Sequence, residues 1–134
     1  MLDPKIFTEQ DPFARHCGME VVEIGPGRSV ARMRVRPEHL NFAGLVHGGV
    51  VFSLADLAFA AACNSHGTLA LAINVSISFL KPAPQGLLTA SAEEVVCGPK
   101  LGNYLIRVTD EAGEAVALFT GTAYRKKDPV PGPG

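Results

Sequence analysis

HGGVVFSLADLAFAAACNSHG, residues 47–67, decides the fold of this chain and poses its main chemical question. Gly48 to Cys63 shows no alternation of apolar and polar residues. It is rich in Ala and Leu, lacks Pro, and is long enough for about four helical turns. The spacing predicts a helix over 48–64, apolar on nearly every side, which protein must surround. Its single formal charge is Asp56, and no other Asp, Glu, Lys or Arg lies between Glu38 and Lys81. A lone carboxylate is costly to bury unless it is paired or neutralised.

The rest of the chain supplies the wrapping. Residues 70–80, ALAINVSISFL, place Leu71, Ile73, Val75, Ile77 and Phe79 on odd positions, with Asn74, Ser76 and Ser78 between them. That period of two predicts a long half-buried strand. Residues 28–36 alternate Ala31, Met33 and Val35 with Arg32, Arg34 and Arg36, a solvated arginine row. Residues 87–96, 103–111 and 114–125 read as three more strands, the last two joined at Glu111–Gly113 as a hairpin. Turn residues fill 25–27, 37–46, 81–86 and 97–103. One helix with about five to six antiparallel strands predicts an α+β architecture, a curved sheet wrapped around the helix.

Composition narrows the function. The 134 residues, without repeats or a linker, predict one domain over 1–134 with a core at about 11–125 and a disordered tail at 128–134. Net charge is −1, from 12 basic and 13 acidic residues, and there is no Trp and only two Tyr, so nucleic acid is not an expected partner. The apolar run is shorter than the ~20 residues of a membrane span, and a central Asp adds roughly 2.5–3.5 kcal/mol to insertion. Cys17, Cys63 and Cys97 form no CxxC pair, and the N-terminus lacks a secretory signal, which predicts free thiols and a cytoplasmic protein.

The helix start carries the chemistry. N–H groups of the first turn lack internal partners, and the dipole there favours negative charge. Gly48 and Gly49 let a substrate atom approach the backbone, as an oxyanion site requires. Asp56, about two turns on, would serve acyl transfer to water. The residues alone leave a second reading open, in which the glycines only start a helix and Asp56 bonds to a neighbouring subunit. Cys63 and His66 are a weaker nucleophile–base pair, with no third orienting group. His16, His39, His47 and His66 show no ligand spacing, so no metal is expected.

The pattern N-x5-HGG-x6-D, present as Asn41, His47, Gly48, Gly49 and Asp56, resembles the hotdog-fold acyl-CoA thioesterases. FSLADLAFAAACNSHG, ISFLKP and VALFTGTAYR are similar to the PaaI-type members of phenylacetate degradation, over roughly residues 11–125. The resemblance implies a hotdog fold and hydrolysis of acyl-CoA, aromatic (hydroxyphenylacetyl-like) or medium-chain, with coenzyme A as part of the substrate and no separate cofactor. It implies Asp56 as general base or nucleophile and Gly48 as the N–H that polarises the carbonyl. Asn41 and His47 would shape the site, and Gly49 would lie against the substrate. It further implies a homo-oligomer, a dimer pairing into a tetramer, with sites at the subunit interface. Where some relatives carry a partner Ser or Thr this chain has Ala72, with Asn74 and Ser76 nearby. Lys81, Lys100 and Arg107 are candidates for the coenzyme A phosphates. The rival functions are a hotdog enoyl-thioester hydratase and a non-catalytic acyl-CoA sensor.

Overall fold

The computed structural model describes residues 2–132. Two short helices, α1 (Lys5–Glu9) and α2 (Pro12–Cys17), precede the strands β1 (Met19–Gly25) and β2 (Arg28–Arg34). A 3-10 turn (Pro37–His39) leads to α3 (Gly48–Cys63), and β3 (Thr68–Phe79), β4 (Leu87–Cys97), β5 (Leu101–Thr109) and β6 (Ala115–Pro129) follow. The six strands form one sheet in the order β1-β2-β4-β5-β6-β3, antiparallel at every pairing.

The sheet curves around α3, which buries Val51, Leu54, Leu57, Phe59 and its alanines against it. Alanine on most faces lets strands approach the helix from several directions. The tightest approach is at Gly121 of β6, where a Cβ would stand 2.7 Å from the Phe59 ring. Phe59 fills that space and meets Phe119 and Tyr104, each with ring centroids 5.7 Å away. The buried Ser29 hydroxyl of β2 donates to the Ala58 carbonyl of α3 at 2.6 Å. Polar caps fix both ends of the helical segments. Asp11 accepts from Ala14 N at the start of α2, and Asn64 after α3 donates to Ala60 O and Ala70 O while accepting from Ala70 N.

The five strands read from alternation are present, and the hairpin closes at Gly113, whose φ of 81° suits glycine. The sixth, β1, shows no alternation because a bulge between Val21 and Glu23 breaks its period. On β2, Ala31 and Met33 are buried, while Arg32 and Arg34 face outward and pair with Glu20 and Glu111. Two expectations require correction. The strand over 70–80 is not half-buried along its length: β3 is an edge strand, and Leu71, Ile73 and Phe79 are at least half exposed. The tail is not loose from residue 128: Pro129 pairs with Thr68, and Val130 N donates to Gly67 O at 3.0 Å. Pro133 and Gly134 lie outside the described residues.

Gly121→Ala forces the new methyl against Phe59 and is expected to lower stability by about 1–3 kcal/mol. Chemical denaturation of the two proteins measures the difference, and an unchanged midpoint would show that the Phe59 ring moves aside freely.

Candidate active site

The approach to α3 is a small closed loop. Leu40 bridges Val46, Asn41 N donates to Leu45 O, and His47 N donates to His39 O. Asn41 Oδ1 accepts from Ala43 N (2.9 Å) and Leu45 N (3.1 Å), which leaves the side-chain amide free to donate elsewhere. Buried His39 anchors the loop from below, accepting from Arg36 N and bonding to Cys17 O. His39 is therefore structural.

His47 is the N-cap of α3, and its Nδ1 accepts from Gly49 N at 2.9 Å. A Cβ on Gly49 would stand 3.1 Å from that same Nδ1, so glycine is what allows the imidazole to fold over the helix start. Val50 and Val51 N donate to His47 O. Gly48 N is left without an acceptor among the described residues, at the positive end of the helix dipole. Gly48 borders a cleft of about 430 Å³, walled by Val51, Phe79, Leu80, Pro82 and Val116, with Asn41 on its rim. That volume suits a small apolar group presented to a few polar atoms. Gly48 and Asn41 thus share one cleft, while His47 and Gly49 set its geometry from the exposed side.

Asp56 lies elsewhere. The eight residues from Gly48 carry it about 12 Å along the helix. It borders a separate hollow of about 80 Å³ with Asp11, Phe13, Ala14, Ser53 and Leu57. Burial, reinforced by the Asp11 carboxylate, pushes the Asp56 pKa above the ordinary value of 3.8. Reasoning from the sequence missed Asp11 and Phe13, because they arrive from the N-terminal segment; the only local signal was the Asp-Pro-Phe start of α2. It also missed Phe79, Leu80 and Val116 as cleft walls, since their alternation marks only a strand face.

The remaining candidates separate. Cys63 is buried, its thiol pushed up to about 12 by burial and by Asp56, and His66 turns away to Glu94 at 2.6 Å. No nucleophile–base pair exists there. Lys81 reaches the cleft rim, but its ammonium is engaged by Asp110 at 2.8 Å and by Glu114. It is not a free phosphate ligand. Ala72, Asn74 and Ser76 are exposed on edge strand β3.

Residues 43–117 match the family described as Thioesterase superfamily. The chain belongs to that superfamily. It is 49% identical over 112 residues to a putative esterase of Archaeoglobus fulgidus, covering 83% of this chain and 73% of that protein. It is 40% identical over 118 residues to the acyl-coenzyme A thioesterase PaaI of Escherichia coli, covering 87% and 84%. The structure of the E. coli PaaI protein from the phenylacetic acid degradation operon superposes with a TM-score of 0.88 at 38% identity, over 92% of this chain and 90% of that one. The fold is therefore the hotdog fold of this superfamily, and the protein is a thioester hydrolase. Among the described residues no helix is long and apolar enough to cross a membrane.

Because its folded pKa is raised, the Asp56 charge opposes folding above the ordinary carboxyl pKa and has no effect once the group is protonated in both states. Asp56→Asn is accordingly expected to be more stable than native at neutral pH. The gain should shrink to nothing as the pH falls through the folded value to below 3.8, a trend that denaturation midpoints across that range would record.

Proposed function

We propose that this thioesterase hydrolyses acyl-CoA to free acid and coenzyme A, with Gly48 N–H as the oxyanion donor and Asp56 as the acid. The observation that carries the reading is the single unpartnered N–H at the start of α3, opening on an apolar cleft. Similarity to an acyl-coenzyme A thioesterase supports the substrate class. An aromatic acyl group of hydroxyphenylacetyl type, or a medium-chain one, would occupy the walls formed by Val51, Phe79, Leu80 and Val116.

In the direct route Asp56 takes a proton from water as the water oxygen bonds to the thioester carbon. Negative charge gathers on the carbonyl oxygen against Gly48 N–H. The C–S bond then breaks, coenzyme A leaves as thiolate, and the proton passes from Asp56 to product or solvent. In the covalent route the Asp56 carboxylate attacks the same carbon, expels the thiolate, and water cleaves the resulting anhydride. Both routes balance without a cofactor. The free Asn41 amide and the outward Nε2 of His47 would orient substrate or water.

Within one chain the acid and the oxyanion donor open into different hollows. We therefore place the reacting carbonyl between two copies, Gly48 from one and Asp56 from the other. The exposed apolar side of β3, at Leu71, Ile73 and Phe79, is the surface we assign to the second copy, and pairing of dimers into a tetramer completes the reading. The free thiols suit the reducing cytoplasm, where we place the protein. The hydratase alternative wants His47 and Asp56 as an acid–base pair, yet His47 Nδ1 is taken up in accepting from Gly49 N.

Two measurements test the mechanism. Thiol release from a panel of acyl-CoAs should fall on the order of 10²–10⁴-fold in Asp56→Asn if the acid moves a proton. Gly48→Pro removes the N–H but suits the first helical position, and His47 already has the extended backbone that precedes proline (φ −64°, ψ 132°). It should lose about 10²–10³ in kcat, whereas Gly48→Ala, which keeps the N–H and meets Phe79 at 3.3 Å, should lose far less. Equal activity of the proline and alanine variants would remove Gly48 from the chemistry.

Co-assembly tests the arrangement between copies. Neither Asp56→Asn nor Gly48→Pro has a complete site, but a mixed dimer of the two regains one of its two sites. Co-refolding them in equal amounts should recover roughly a quarter of native activity. A site contained in one chain would recover none.

A further inference from the structure

A second cluster of reactive side chains lies at the opposite end of α3 from the cleft. His66 Nε2, a Glu94 carboxylate oxygen and Cys97 Sγ lie within 4.8 Å of one another. His66 contacts Glu94 Oε2 at 2.6 Å, and the Tyr104 hydroxyl donates to that oxygen at 2.8 Å. The Cys97 thiol lies beside this pair, and its own hydrogen bond goes to the Gly98 carbonyl at 3.8 Å. Two donors thus converge on one carboxylate, with a thiol beside it, clear of the proposed reaction.

The backbone builds this convergence. In a regular strand residues three apart point to opposite faces. The β4–β5 register shifts between Glu94 and Val96, and that bulge returns Cys97 to the face of Glu94. Gly102 lies opposite Cys97 and leaves room for the Tyr104 ring, which a Cβ there would meet at 2.9 Å. His66 is delivered by a rigid turn: Ser65 donates to Ala62 O and accepts from Gly27 N, and Gly67 has a φ of 92°. Gly27, itself at φ 70°, passes so close that a Cβ there would stand 2.9 Å from Glu94 Cβ. The side chains of His66 and Glu94 are 28% and 23% exposed, sheltered but reachable from solvent.

We propose that His66, Glu94 and Cys97 bind one zinc-class divalent cation. A set of one imidazole, one carboxylate and one thiolate matches a borderline-soft ion with three protein ligands and an open position for water. Around a tetrahedral ion such donors lie roughly 3.5 Å apart, so the His66–Glu94 hydrogen bond opens by about 1 Å as the cation replaces its proton. Cys97 gives its proton to solvent, and the His66 proton moves from Nε2 to Nδ1. Tyr104, kept protonated by burial and by the adjacent carboxylate, continues to donate to Glu94 and orients it from outside the ligand shell. The site is about 20 Å along the helix from Gly48, so the cation clamps the end of α3 to β4 and takes no part in hydrolysis.

The test uses the full chain, freed of metal by a chelator and kept reduced, titrated with Co²⁺ and then with competing Zn²⁺. The expected result is one Co²⁺ per chain, a thiolate-to-cobalt charge-transfer band, and displacement by Zn²⁺. Cys97→Ser should abolish the band, and His66→Gln should weaken uptake at least about 10-fold. Cys17→Ser should leave both unchanged. Zn²⁺ should raise the melting temperature of the native protein but not of His66→Gln, whose partly exposed side chain makes it a safe variant to fold. Absence of the band in native protein, or uptake by His66→Gln as tight as native, overturns the site.

Discussion

The structure depends on a helix that cannot face water. α3 buries apolar side chains around most of its circumference, so its burial requires a sheet long and curved enough to enclose it. Alanines shorten the distance between helix and sheet, and Gly121 gives up its side chain where Phe59 needs room. The order β1-β2-β4-β5-β6-β3 follows from wrapping. The first strand of the chain, β1, and the strand that follows the helix, β3, occupy the two edges, and β2 and β4–β6 lie between them.

The same helix sets the chemistry by what its first turn leaves undone. His47 satisfies Gly49, the His47 carbonyl satisfies Val50 and Val51, and Gly48 N remains. An imidazole cap therefore does more than stabilise a helix end. It chooses which backbone donor stays available, and the neighbouring glycine is small enough for the ring to lie there. The loop held by Asn41 and His39 keeps that choice fixed, because each of its backbone turns is tied by a side chain with a defined acceptor.

Much of this was legible in the residues. Lack of alternation marked the helix, and glycines marked its start; strict alternation marked β2 and β4–β6. β1 was hidden because its bulge at Val21–Glu23 destroys the period that a strand is read by. The alternation of β3 reported a face correctly but not its cover, since an edge strand in one chain leaves Leu71 and Ile73 open. Asn41 joined Gly48 only through the resemblance carried by the N-x5-HGG-x6-D pattern, since its loop shows no periodicity that would place it. The surroundings of Asp56 could not, because Asp11 and Phe13 come from a distant segment. The group at His66, Glu94 and Cys97 was illegible for a related reason: spacing rules assume regular strands, and a bulge set this one.

The hydrogen bond from Ser29 to the Ala58 carbonyl has a consequence for orientation. A cylinder greasy on nearly every side gains almost as much from burial at one azimuth as at another, so packing alone leaves its rotation poorly specified. A rotation by one residue is about 100°, enough to swing Asp56 toward the sheet and a leucine or alanine into its place. The Ser29 hydroxyl is buried and has to find an acceptor, and an unmatched one costs roughly 1–3 kcal/mol. It meets Ala58 O at a single angle of the helix. One small polar group thereby acts as an index pin, and the bearing of the carboxylate two residues away is set by a serine on the neighbouring sheet.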